Sequence, residues 1–297
     1  MTPATLLAVA HGTHDPAGPA TVRALLDRVR ALRPGLRVAE AYAELASPSL
    51  EEAVRQTRGP VVAVPLLLAR GYHALIDIPG RLQEACGSRV VTVARPLGPH
   101  PLLSEALADR LAAACLIGPS SVPDGDSQDR PEHPFAAMPG GPGRLGPGRS
   151  LPRPARPGIA GASLAGMGLA GVDAVVLGAA GSSDPAGVAD VRAAARLLTR
   201  RLRRPVRHGF VAAGEPGLAE AVARLREHGA ERVAVAAYLL APGFFHDRMS
   251  GAGADLVSPP LGAHDAVARL VLRRFDEARA RTGGWRSPRE MAGRAAR

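Results

Sequence analysis

The sequence contains no lysine, two cysteines and very few aromatic residues. Cys86 and Cys115 are too few for a thiolate metal cage or an iron–sulfur cluster within one chain, and they rule out a disulfide framework. With aromatics at 3% against 46% apolar residues overall, the core must be assembled from Ala, Val and Leu. No run approaches the roughly 20 apolar residues of a membrane span, so no membrane partner is expected. The opening MTPATLLAVAHG lacks a basic leader region and reaches a histidine after a few apolar residues. No signal peptide is therefore expected, and the cytoplasm is the expected compartment.

All the basic residues are arginine, and the formal net charge is +10. A basic surface attracts polyanions and speeds their capture, which invites an acidic small-molecule partner or a nucleic acid. The joint richness in Arg, Ala, Gly and Pro also fits a coding bias, and several arginines fall in a Pro/Gly tract. No nucleic-acid recognition motif or aromatic stacking platform accompanies the charge, so a nucleic-acid partner is not expected.

At 297 residues the chain is long enough for two domains. Residues 117–171 are crowded with Pro, Gly and Arg and show no apolar period, so they read as a flexible, disordered linker. On either side the sequence repeats itself. VAHGTHDPAG (9–18) matches GAAGSSDPAG (178–187), and SPSLEEAV (47–54) matches EPGLAEAV (215–222). VVAVPLLLARGYH (61–73) matches VAVAAYLLAPGFFH (233–246), and PLGPH (96–100) matches PLGAH (260–264). Four blocks in one order indicate duplication. The expected organisation is a first unit 1–116 carrying the site, the linker, a second unit 172–283 with a degenerate site, and a tail 284–297. The two units can pack on each other as an intramolecular pseudo-dimer, and a loose tether fits the sequence as well.

Each unit alternates strands and helices. Residues 6–10 are a short apolar strand, after which Val22, Leu25, Leu26, Val29 and Leu32 recur at helical spacing. A second strand is expected over 37–43. Ser47-Pro48 supplies a cap and first turn for a helix through about Gln56. The continuous apolar run 61–68 reads as a buried central parallel strand. Asp77 opens a third helix, 90–93 form a fourth strand, and a helix from Pro101 closes the unit. This order predicts an α/β protein: two tandem doubly wound parallel sheets with helices on both faces.

Ligands of such sheets bind outside the carboxyl ends of the strands. Three loops there carry polar groups: His11 after the first strand, Glu44 after the second, and His73, followed by Asp77, after the third. Two imidazoles and a carboxylate suit a divalent first-row metal with coordination positions left open, and they can also accept protons. Each residue alone is more often a surface group. In the second unit, however, His11 is replaced by Ala180 and Glu44 by Ala212, while His246 lies at or one residue beyond the position of His73. Asp15 and Asp184 read as helix caps, His14 as solvent-facing, and His100 and His264 as capping or packing residues.

The blocks VAHGTHDPAG, AYAELASPSL with Glu44, and VPLLLARGYHALIDIP with His73, Asp77 and Pro79 resemble the sirohydrochlorin chelatase family, the class II chelatases. The resemblance covers most of residues 5–115, and more loosely the second unit. It implies insertion of Fe2+ or Co2+ into an acidic tetrapyrrole in siroheme or cobalamin synthesis, with the metal as substrate and no organic cofactor. It also implies an active site of His11 and His73 that binds metal and accepts pyrrole protons, with Glu44 assisting. The family's usual opening has Ser-Arg where this sequence has Thr13-His14. Arg70 and Arg81 are then the candidates to meet the substrate's carboxylates, with a solvated surface role as the commoner alternative. A metallochaperone or metal-binding regulator using the same histidines is the rival class.

Overall fold

A computed structural model describes residues 3–70, 77–87, 89–117, 169 and 171–283. The first half runs β1 (Thr5–Ala10), α1 (Ala17–Leu32), β2 (Val38–Tyr42), α2 (Leu50–Gln56), β3 (Val61–Pro65), α3 (Ile78–Cys86), β4 (Val91–Val93) and α4 (Pro101–Ile117). The second runs β5 (Ala174–Ala179), α5 (Pro185–Leu202), β6 (Val206–Phe210), α6 (Leu218–Glu227), β7 (Val233–Tyr238), α7 (Phe244–Ser250), β8 (Leu256–Val257) and α8 (Asp265–Gly283). The sheets have orders β2-β1-β3-β4 and β6-β5-β7-β8, and every pairing is parallel. The α/β architecture of two tandem parallel sheets is as the sequence predicts. The expected linker lies outside the described residues apart from its ends, and the expected tail does so entirely. No helix among the described residues is long and apolar enough to cross a membrane.

The apolar strands form because both faces of each central strand are covered. Along β1, Leu6, Ala8 and Ala10 face α1, whose Val22, Leu25, Leu26 and Val29 are buried as their spacing predicts. Leu7 and Val9 face the other way, toward Leu50 and Val54 of α2 and Ile78 and Leu82 of α3. In β5, Val175 and Leu177 likewise face α5, while Val176 faces α6. The helix expected to start at Ser47-Pro48 begins two residues later. Pro48 lies in the bend before it, its carbonyl accepting the Tyr42 amide at 2.9 Å. The cap is Ser49, in a capping box with Glu52 at 3.2 and 2.9 Å.

One apolar cluster runs through both halves, and the closing helices carry it. Helix α4 packs on β7, β8, α5 and α8, whereas α8 packs on β3, β4 and α1, so each half covers its partner's sheet. Apolar residues lie all around α4, as a helix buried on several sides requires. Its Leu103, Leu107 and Leu111 are at most 1% exposed, each worth about 1.5–3 kcal/mol by burial. Two arginines at corresponding places span the join. Arg110 of α4 donates through Nε and Nη2 to the Leu261 carbonyl at 3.1 and 2.9 Å. Arg274 of α8 donates to the Pro96 and Leu97 carbonyls at 2.9 and 3.0 Å. Both halves therefore belong to one compact unit.

Candidate functional site

The β1–β2 ladder continues past the ends of both strands. The Ala43 amide donates to Ala10 O and the Glu44 amide to His11 O, each at 2.9 Å. This places His11 and Glu44 on neighbouring loops at the carboxyl edge of the sheet, both exposed. Gly12 makes the approach possible. It has φ +99°, and a Cβ there would collide with the Glu44 carbonyl oxygen. His73, in the third loop, lies outside the described residues, as do Gly71 and Tyr72. Among the described residues no three His, Cys, Asp or Glu side chains form a metal-holding group.

Nearby residues hold these loops. Arg81 donates through Nη1 to Ala43 O at 2.7 Å and through Nε and Nη2 to the Glu51 carboxylate at 2.9 and 3.1 Å, with Asp77 Oδ2 at 3.8 Å. It braces the Glu44 loop. Arg70 is likewise engaged: its backbone amide, Nε and Nη2 donate to Asp190 of α5 at 2.8, 2.9 and 2.8 Å. Asp190 is 4% exposed and had no signal in the sequence, where a single Asp on a helix reads as a solvated face. Tyr238 donates its hydroxyl to Leu68 O at 2.9 Å. Burial, and then the charge of Asp190, push its pKa upward, so it remains a neutral donor. Asp184 caps α5 as expected, accepting the Ala186 amide at 2.8 Å, whereas the cap position of α1 is Pro16 and Asp15, one residue earlier, accepts the Ala17 amide at 2.8 Å. His100 and His264 accept the Leu102 and Ala266 amides at the starts of their helices through Nδ1 at 3.1 Å. His14 is exposed.

The second half repeats the backbone without the polar groups. Val211 donates to Ala179 O at 2.9 Å and Ala212 to Ala180 O at 2.8 Å, so Ala180 and Ala212 occupy the places of His11 and Glu44. Gly181, with φ +138°, repeats Gly12. The third strands leave the two sheets alike: Leu97 N donates to Leu67 O, and Leu261 N to Leu239 O, both at 2.9 Å. The expected correspondence of His246 with His73 falls on residues outside those described. His246 Nε2 lies 3.0 Å from Ser258 O and ties α7 to the end of β8.

The third-strand loop of the first half lies on α5, and that of the second half faces the loop between β1 and α1. A Cβ at Gly187 of α5 would stand 2.6 Å from Arg70 O, and one at Gly243 would stand 3.8 Å from Asp15 Oδ2 and 3.9 Å from Thr13 Oγ1. The loops at the carboxyl edges of the two sheets thus approach one another, with His11 and Glu44 on the first sheet's edge and Ala180 and Ala212 on the second's.

The sequence matches the model of the CbiX family over residues 5–114 and 174–278, and the chain belongs to that family. A sirohydrochlorin cobaltochelatase of Methanosarcina acetivorans is 29% identical over 123 residues, 37% of this chain and 95% of the relative. The fold is that of SirB from Bacillus subtilis, solved with Fe3+, at a TM-score of 0.66 and 22% identity, covering 95% of this chain and 98% of the other. A CbiX described as the terminal enzyme of siroheme biosynthesis in denitrifying bacteria matches at 0.58 and 21% identity, covering 92% and 99%.

Proposed function

We propose that the chain is a sirohydrochlorin chelatase that inserts Fe2+ or Co2+ into the macrocycle, using the site of its first unit, residues 1–116, while residues 172–283 form a degenerate second copy. The reading is carried by the side-by-side placement of His11 and Glu44 in a member of the CbiX family. The family's relatives include enzymes named for this reaction. His11 and His73 receive the incoming ion through neutral imidazole nitrogen, and the same nitrogens accept the protons that the pyrroles release. Glu44, one ladder step from His11, orients that imidazole or relays its proton to water. The metal is substrate, and no organic cofactor takes part. Imidazole and carboxylate accept iron and cobalt alike, so metal availability decides between them.

The test is insertion of Fe2+ and Co2+ into sirohydrochlorin, followed by the absorbance change of the tetrapyrrole. His11→Ala, an exposed position, is expected to abolish insertion while the circular dichroism spectrum is unchanged. Full activity in that variant would remove His11 from the mechanism. Metal binding by the wild-type chain with no change in the macrocycle spectrum would instead identify a metallochaperone.

A further inference from the structure

The chain is poor in aromatic residues and buries most of those described. Tyr42, Phe210, Tyr238 and Phe275 are no more than 3% exposed. Phe244 and Phe245 depart from this, at 65% and 39% exposed. They are adjacent and open α7 immediately after Gly243, the residue laid against Thr13 and Asp15 of the loop that carries His11. Their rings meet edge to face, with centroids 5.4 Å apart and planes at 71°. Arg248, one turn on, holds its guanidinium carbon 5.4 Å from the Phe244 centroid. Leu45, beside Glu44 in the first half, is a further large apolar side chain exposed at the same sheet edge, at 50%.

The replacements in the second half share one chemical direction. Where the first half has His11 and Glu44, the second has Ala180 and Ala212. Two methyls in place of an imidazole and a carboxylate, with the exposed phenyl rings of Phe244 and Phe245 at the same sheet edge, leave a surface that water wets poorly. A flat conjugated ring with acidic substituents needs such a surface for its face and a cation for its edge. Aromatic rings supply the first through offset or edge contacts, and arginine supplies the second through paired hydrogen bonds to carboxylate.

We propose that Phe244 and Arg248 form the wall on which the tetrapyrrole seats, with the macrocycle against the phenyl ring and one of its carboxylates on the guanidinium, while the first half delivers the metal from the opposite side. The second half is then a substrate-binding surface that has lost its catalytic groups. This assignment rests on the reading of the chain as a sirohydrochlorin chelatase.

The experiment is equilibrium binding of metal-free sirohydrochlorin to the full chain, followed by tetrapyrrole fluorescence, with insertion kinetics and sedimentation in parallel. Phe244→Ala is expected to raise the Kd by about tenfold or more, the loss of one good aromatic contact, and to raise KM with it. Phe244→Trp restores a ring face and is expected to restore binding. Arg248→Gln weakens binding and Arg248→Lys recovers part of it. Both positions are exposed, so the variants fold. Wild-type Kd and KM in both Phe244→Ala and Arg248→Gln, or a change confined to sedimentation, would overturn the wall while leaving the chelatase reading intact. A wild-type chain that neither binds nor metallates the macrocycle would overturn both.

Discussion

Gly12 offers a direct test of how the loops carrying His11 and Glu44 are set. Replacing it with Ala puts a Cβ where the Glu44 carbonyl oxygen stands, at a φ of +99° that an L side chain rarely adopts. An ordinary carbon–oxygen contact is about 3.3 Å, so one of the two loops must retreat by roughly 1 Å or more. That retreat strains or breaks the Glu44 N to His11 O bond and its neighbour from Ala43 to Ala10. The lost bonds are worth about 0.5–1.5 kcal/mol each and the backbone strain about 1–3 kcal/mol, which gives a loss of about 2–6 kcal/mol in urea titration. Because the retreat separates His11 from Glu44, insertion is expected to fall by about 100-fold even in protein that remains folded. Gly35 is the control. Its φ is +83° but a Cβ there meets nothing within 4 Å, so Gly35→Ala carries strain alone, about 1 kcal/mol, and no change in rate. Equal urea midpoints and equal rates in the two variants would refute the close approach as the reason for glycine at position 12.

Two further outcomes are expected. Burial, followed by the charges of Arg274 and Arg273, lowers the His100 pKa from 6.5 to about 4. The unfolded chain therefore takes up the proton first. The stability this histidine contributes is complete above pH 6.5 and is lost as the pH falls toward about 4. His100→Asn keeps a capping acceptor without the titration and should flatten the urea midpoint between those pH values. Arg274→Ala strips the Pro96 and Leu97 carbonyls of donors at a site 6% exposed, and a loss of about 2–4 kcal/mol in the same titration is expected. An unchanged midpoint would mean that water replaces the guanidinium.

Much of the fold is legible in the sequence because its signals are local. Apolar runs such as 61–65 are long enough for one strand and too short for a helix, and α1 carries its buried residues at helical spacing. The start of α2 was misplaced by two residues because a Ser-Pro pair looks like a cap until the partner of the Pro48 carbonyl is known. His11 and Glu44 are legible because a parallel ladder brings strand ends to one edge whatever the tertiary detail. What the sequence does not carry is the join between the halves. Asp190 and Arg274 look like solvated helix residues, and their partners lie 120 and 178 residues away. Arg70 and Arg81 similarly look available to a substrate, whereas their guanidinium groups already meet Asp190 and Glu51.

The exchange of closing helices explains how a duplicated unit can change the polar residues of its loops and still be retained. Helix α4 has no sheet of its own half to cover and lies on β7 and β8, while α8 lies on β3 and β4. Deleting either half would expose Leu103, Leu107 and Leu111, or their counterparts Val267, Val271 and Phe275, all at most 1% exposed in the intact chain. By burial alone each such side chain accounts for about 1.5–3 kcal/mol, so three of them approach the whole net stability of an ordinary domain. The backbone that shapes the second half's loops is thereby tied to the first half's folding, and Gly181 persists with it. Side chains at the tips of those loops carry no such tie. Ala180 and Ala212 can therefore replace a histidine and a glutamate without cost to the fold.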